Sequence, residues 1–144
     1  MIIPDINLLI CAYNSEAPDH ERARGWWESS LSATRPVGLP WAVTLGYQRL
    51  MTSRSVRVDP FLPAEAIGDI RSWLERPQVV VLNPGARHLD LVEQLMDAAG
   101  ASGQLTTDVH LAALAIEHQA EVFSNDSDFS RFPGLRWTDP LRPR

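Results

Sequence analysis

The sequence predicts a single α/β domain over residues 1–144, with a central, mainly parallel β-sheet flanked by helices. Three observations carry that prediction. Short apolar or β-branched runs alternate with segments of helical period along the chain, and no hairpin signal joins two such runs before the C-terminal segment. The run "QVVVLN" (78–83) is continuously apolar at its centre, as expected of a parallel strand buried on both faces. A length of 144 residues, 44% of them apolar, suits one core.

Met1 to Ile3 reads as a short buried strand, after which Pro4 and Asp5 open the helical run "INLLICAY", ending near Asn14. Pro18 starts a helix through "HERARGWWESSL", with Ala23, Trp26, Trp27 and Leu31 on its apolar face and Arg22, Arg24 and Glu28 on its polar one. "VGLP" is a second short strand. "WAVTLGYQRLMTS" is a helix apolar at Val43, Gly46, Tyr47 and Leu50, although Gly46 is a poor helix former. After the loop "RSVRVDPFLP", Pro63 begins a helix with Ile67, Ile70 and Leu74 on one face, closed by Pro77. The strand "QVVVLN" leads into "ARHLDLVEQLMDAAG", where Leu89, Val92, Leu95 and Met96 recur at helical spacing and Gly100 supplies the stop. A short glycine and serine loop follows. Thr106 and Thr107 are then the expected caps of "DVHLAALAIEHQ", apolar on most sides and so central. "EVFSN" is the next strand, and "LRWTDPLRPR" adds a last short one.

Composition narrows the function. The single cysteine, Cys11, lies in an apolar run and has no intramolecular partner, which fits a small buried hydrophobe and a reducing, cytoplasmic setting. Neither a cleavable leader nor an apolar run near the ~18 residues of a membrane span is present, so export and membrane insertion are not expected. A net charge of −5 argues against nucleic-acid binding through a uniformly basic surface and leaves a local patch or a metal-bridged contact. All thirteen basic residues are arginine, which excludes chemistry built on a lysine ammonium. The motifs GxGxxG, GxxxxGK and GxSxG do not occur, and His20, His88, His110 and His118 lack the paired spacing of a zinc site.

The acids are more informative. Asp5 and Asp126 each follow a predicted strand, the edge at which open parallel sheets bind ligands. Asp108 falls in the first turn of the apolar helix, on one stripe with Leu111, Ala112 and Ala115. Each acid has an ordinary structural use: Asp5 as an N-cap, Asp108 against the helix dipole, and Asp126 and Asp128 in the first turn of a helix capped by Ser124 or Asn125. Together they suggest carboxylates converging on one rim, where like charges repel unless they are protonated or hold a cation. Oxygen ligands alone suit Mg²⁺ or Mn²⁺.

Three ordered motifs, "PDIN", "TTDVHLAALAIEH" and "SNDSDFSRFPGLRW", resemble the PIN-domain ribonucleases, and within them the VapC-like toxins of bacterial toxin–antitoxin pairs. The resemblance spans nearly the whole chain. It implies a three-layer α/β fold and cleavage of RNA with Mg²⁺ or Mn²⁺. It also implies Asp5, Asp108 and Asp126 as metal ligands, Asp128 as a ligand or supporting acid, and Asn7 and Ser124 as residues that orient them. A cognate VapB-like antitoxin and a homodimer are its implied partners. One position departs from the pattern: where such families carry a glutamate on the third helix, this chain has Gly46, and no acid occurs between Arg35 and Asp59. A catalytically degenerate PIN domain that binds RNA or a protein without cleavage is therefore the alternative. Receiver-type and haloacid-dehalogenase-type phosphoryl transfer, for which the resemblance of those families implies a lysine, is excluded. Arg22, Arg24, Arg49, Arg54 and Arg57 are candidate RNA contacts, and Trp26, Trp27, Trp41 and Tyr47 are expected in the core or at a dimer contact.

Overall fold

A computed structural model describes residues 1–100 and 103–143. Five strands, β1 (Ile2–Pro4), β2 (Val37–Pro40), β3 (Val79–Leu82), β4 (Glu121–Phe123) and β5 (Arg136–Thr138), form one sheet in the order β3, β2, β1, β4, β5, and every pairing is parallel. The helices are α1 (Ile6–Tyr13), α2 (His20–Ser32), α3 (Trp41–Met51), α4 (Pro63–Leu74), α5 (His88–Ala99) and α6 (Thr106–Glu117). Packing joins α1 to α2 and α3, and α3 to α4, while α5 packs on α6. The result is the expected three-layer arrangement, with helices flanking a parallel sheet. No helix among the described residues is long and apolar enough to cross a membrane.

The strands are short because each needs only to carry the chain to the carboxyl edge of the sheet. β1 and β2 are buried along their whole length, and α6 buries every residue from Leu111 to Ala115, as its all-round apolar sequence anticipates. Between α1, α2, α3 and α4 sits an aromatic cluster. Trp73 packs edge-on against Trp27 and Tyr47 at centroid distances of 5.5 and 4.8 Å, and its indole N–H donates to the Tyr13 hydroxyl at 2.7 Å. Tyr47 in turn donates to Asp69 at 2.6 Å, so the polar ends of these large side chains are paired where burial would otherwise penalise them. Pro63 occupies the first position of α4, where its missing N–H costs nothing. Gly100 closes α5 at φ +61°, a left-handed conformation that disfavours any residue with a Cβ.

Several expectations change. "QVVVLN" is an edge strand rather than a doubly buried one: β3 pairs only with β2, and Val80 and Val81 remain 43% and 36% exposed. A β-branched run reports strand propensity, and it does not report how many neighbours the strand has. On α5, Leu89 is 78% exposed, and Leu91 and Leu95 make the inward stripe. On α4, Trp73 is fully buried and Leu74 only partly. Cys11 is only partly buried. Trp41, half exposed at the first position of α3, keeps the dimer-contact half of its expectation. Thr106 and Thr107 do not cap α6. A 3₁₀ turn, Gly103–Leu105, runs straight into the helix, so Thr106 is already helical and its hydroxyl donates back to the Gly103 carbonyl. The glycine and serine loop expected before it includes residues 101–102, which lie outside the described residues. The separated His88 and His110 meet, Nε2 to Nδ1, at 2.8 Å between α5 and α6.

The cluster and the edge strand make opposite demands on stability. Trp73→Ala is expected to lower the free energy of urea unfolding by about 3–5 kcal/mol. Val80→Thr, on the open edge, is expected to change it by less than about 1 kcal/mol.

Candidate metal centre

The sheet order places β1 beside β4, and the chain winds away from this pair in opposite directions, through β2 and β3 on one side and to β5 on the other. Such a switch point leaves a crevice at the carboxyl ends of the strands. Asp5 enters it directly after β1. Its backbone N–H donates to the Phe123 carbonyl at 2.9 Å, extending the β1–β4 ladder by one bond. One carboxylate oxygen caps α1 by accepting the Ile6 N–H at 2.8 Å, and the other accepts the Ser124 hydroxyl at 2.7 Å.

Ser124 joins the two strand ends. It is fully buried just past β4, its N–H donates to the Thr138 carbonyl at 3.1 Å, and its hydroxyl oxygen also accepts the Asp126 N–H at 3.0 Å. Asp126 then caps a 3₁₀ turn, Ser127–Arg131, by accepting the Asp128 N–H at 2.9 Å. Thus Asp126, and neither Ser124 nor Asn125, is the cap. The reason is that Ser124 is committed to Asp5 inside the protein, and the chain turns only after leaving that contact. Asp108 reaches the same place from the first turn of α6.

Asp108, Asp126 and Asp128 each offer one carboxylate oxygen, and these atoms lie within 4.8 Å of one another. Asp5 stands behind them, 5% exposed, with both oxygens already hydrogen-bonded. The sequence reading grouped Asp5, Asp108 and Asp126 and left Asp128 as ligand or supporting acid. The structure draws Asp128 into the tightest trio and gives Asp5 the most enclosed position. Asn7, on the exposed side of α1, has no side-chain hydrogen bond among the described residues.

The electrostatics follow from this crowding. Burial pushes the Asp5 carboxyl above its usual range, the Asp126 charge adds to that, and the bonds from Ser124 and Ile6 oppose it. Asp108 is raised to about 6, first by burial and then by the charges of Asp5, Asp126 and Asp128. A cluster of carboxylates that offers oxygen donors only fits a hard divalent cation of the Mg²⁺ or Mn²⁺ type.

Gly46 has a local explanation. A Cβ there would stand 2.6 Å from Ile6 Cδ1, so the Ile6 side chain fills the space that a longer residue on α3 would need. Sequence reading missed Ile6 as the occupant; the available signal was a glycine inside an otherwise regular helix. Of the candidate arginines, Arg22 donates to the Leu141 carbonyl at 2.9 Å, Arg24 pairs with Glu28 at 2.9 Å, and Arg57 lies over the Phe61 ring. Arg49 and Arg54 are exposed.

Fold and site together define a class: a parallel α/β domain that gathers carboxylates at the topological switch of its sheet. The chain belongs to the PIN domain family, whose profile matches residues 2–135. It is 46% identical over 142 residues to ribonuclease VapC33 of Mycobacterium tuberculosis, covering 99% of each chain. It is also 38% identical over 140 residues to ribonuclease VapC37 of the same species, covering 97% of each. Its fold is similar to VapBC-1 of nontypeable Haemophilus influenzae, with a TM-score of 0.70 at 17% identity over 99% of this chain and 100% of that one. A further match is Mycobacterium tuberculosis VapC20, described as a sarcin–ricin loop cleaving toxin, with a TM-score of 0.63 at 21% identity over 94% of this chain and 99% of that one.

The raised Asp108 pKa has a definite sign in stability. Because its folded pKa of about 6 exceeds the unfolded value of 3.8, the folded state binds more protons between the two, and that advantage is lost as pH rises through about 6. In chelator, Asp108→Asn is therefore expected to melt higher than the wild type, by a margin that grows from pH 4.5 to 7.5. Added Mn²⁺ is expected to raise the wild-type midpoint more than that of the variant. Thermal unfolding across that pH range, with and without Mn²⁺, measures both effects.

Proposed function

We propose that this chain is a Mg²⁺- or Mn²⁺-dependent endoribonuclease, a hydrolase of RNA phosphodiester bonds, acting as the toxin of a toxin–antitoxin pair. The carboxylate cluster of Asp108, Asp126 and Asp128, with Asp5 behind it, carries the reading, because four acids packed at one strand edge have no structural use that requires their proximity. The full-length likeness to proteins named ribonuclease VapC supports the choice of RNA as substrate.

In this account Asp108, Asp126 and Asp128 hold the cation, and Asp5 and Ser124 keep the turn that carries Asp126 in place. A bound divalent cation supplies a water of lowered pKa and neutralises charge developing at the scissile phosphate. The carboxylates bind and orient and do not attack the substrate. Without a cation they repel phosphate, so RNA binding and cleavage share one requirement. Buried Asp5 has its oxygens fixed by Ile6 and Ser124, which limits the reorganisation that ion binding demands. Gly46 is compatible with activity in this account, because the site takes its acids from the end of β1, from α6 and from the turn after β4, and uses none from α3.

The partners we assign are RNA as substrate and a small cognate VapB-like antitoxin as inhibitor, within a homodimeric, cytoplasmic toxin. VapBC complexes among the structural relatives support the antitoxin.

Purified protein is expected to cut total cellular RNA into discrete fragments with Mn²⁺ or Mg²⁺ and to leave it intact in chelator. Asp5→Asn and Asp108→Asn are each expected to lower the rate by at least about 100-fold. Metal-independent cleavage, or cleavage unaffected by both substitutions, overturns the proposal. Binding of RNA by wild type and both variants without any cleavage supports the degenerate reading instead.

A further inference from the structure

We propose that Trp137, on β5, is a positioning residue for the carboxylate site: its indole N–H sets the orientation of Ser124, through which Asp5 and Asp126 are held. The inference rests on the metal-dependent reading of that site. Trp137 touches no carboxylate, and its effect passes through one peptide unit.

The indole Nε1–H donates to the Ser124 carbonyl at 2.9 Å. That oxygen lies one residue past the last rung of the β4–β5 ladder, where Phe123 faces Thr138. The neighbouring Thr138 carbonyl takes the Ser124 N–H at 3.1 Å. Two consecutive residues of β5 therefore grip Ser124 from both sides, one by its backbone and the other by its side chain.

Everything that Ser124 does for the site depends on its orientation. Its hydroxyl donates to Asp5 at 2.7 Å and accepts the Asp126 N–H at 3.0 Å, so every polar atom of this fully buried residue is engaged. Rotation about the Ser124 peptide would break one or both of these contacts and move the turn that presents Asp126 and Asp128. A phenylalanine could fill much of the volume of the indole, but it would leave the Ser124 carbonyl without its donor.

No other tryptophan among the described residues hydrogen-bonds to Ser124. Trp27 and Trp73 build the aromatic cluster, Trp26 stacks on Phe123, and Trp41 is half exposed on α3. Among the described residues, Trp137 alone directs its N–H at the segment between β4 and the acids. β5 lies at the edge of the sheet and supplies no carboxylate, so its link to the site runs through Ser124.

The test compares wild type, Trp137→Phe and a protein carrying 3-benzothienylalanine at position 137. The last keeps the ring shape and replaces the N–H by sulfur, so the question survives if the phenylalanine variant fails to fold. Mn²⁺ affinity is measured by calorimetry without RNA, the Asp126 amide by hydrogen exchange, and kcat and KM on RNA across a range of Mn²⁺. Both variants are expected to bind Mn²⁺ about 10-fold more weakly and to recover kcat at saturating Mn²⁺, with KM for RNA unchanged. Their Asp126 amide should exchange faster. The double variant Ser124→Ala with Trp137→Phe should be no weaker than Ser124→Ala alone, since both changes act on one unit. Wild-type Mn²⁺ affinity and exchange in the two variants, or losses that add in full to those of Ser124→Ala, would overturn the proposal. A wild type that binds Mn²⁺ and cuts no RNA would remove the nuclease reading alone, while affinity and exchange still decide the role of Trp137. A wild type that binds no Mn²⁺ would remove the metal-dependent reading, and with it this inference.

Discussion

Mutual repulsion among Asp5, Asp108, Asp126 and Asp128 is the constraint around which this protein is organised. Four carboxylates are brought to one edge of the sheet from three separate elements, and burial, followed by the charges of Asp5, Asp126 and Asp128, holds the Asp108 carboxyl above its usual range. A fold that did no more than stabilise itself would disperse these charges, as the rest of its acidic surface does. In the proposed function a cation offsets the electrostatic cost, and the hydrogen bonds of Asp5, Ser124 and Asp126 keep the acids together in its absence.

That arrangement uses few parts. Asp5 and Asp126 each cap a helical segment, so structural and functional demands fall on the same carboxylates and do not compete. Ser124 ties the two caps together from inside the protein, with the parallel pairing of β1, β4 and β5 holding it in register. The apolar helix α6 supplies the remaining acid from a backbone that is buried over most of its length and therefore has little freedom to move. The strands can be three or four residues long because their task is to deliver chain to this edge.

Much of this was legible in sequence, for reasons specific to each element. Alternating strand and helix signals follow from periodicity, and the acids were recognisable because they stand just past apolar runs or in a first helical turn. The part that could not be read is the part set by neighbours. "QVVVLN" announces a strand and carries no information on whether one side or both will be paired, so its edge position emerged only with the sheet order. Leu89 and Leu91 satisfy nearly the same helical spacing, and only the packing of α5 on α6 chooses Leu91. Asp126 replaced Ser124 as the cap because a buried contact 119 residues away in sequence claims the serine hydroxyl. The full-chain likeness to PIN domain proteins and the motif resemblance agree on the fold, while the inward placement of Ile6 against Gly46 is a feature of packing that no motif reports.

The central claim is that a divalent ion sits among these carboxylates, and anomalous diffraction from crystals grown with Mn²⁺ at neutral pH addresses it most directly. The account predicts a manganese peak bounded by oxygens of Asp108, Asp126 and Asp128, with Asp5 still bonded to Ser124. Carboxylates paired to arginine or to one another, with no peak at the cluster while Mn²⁺ is present in excess, would contradict it.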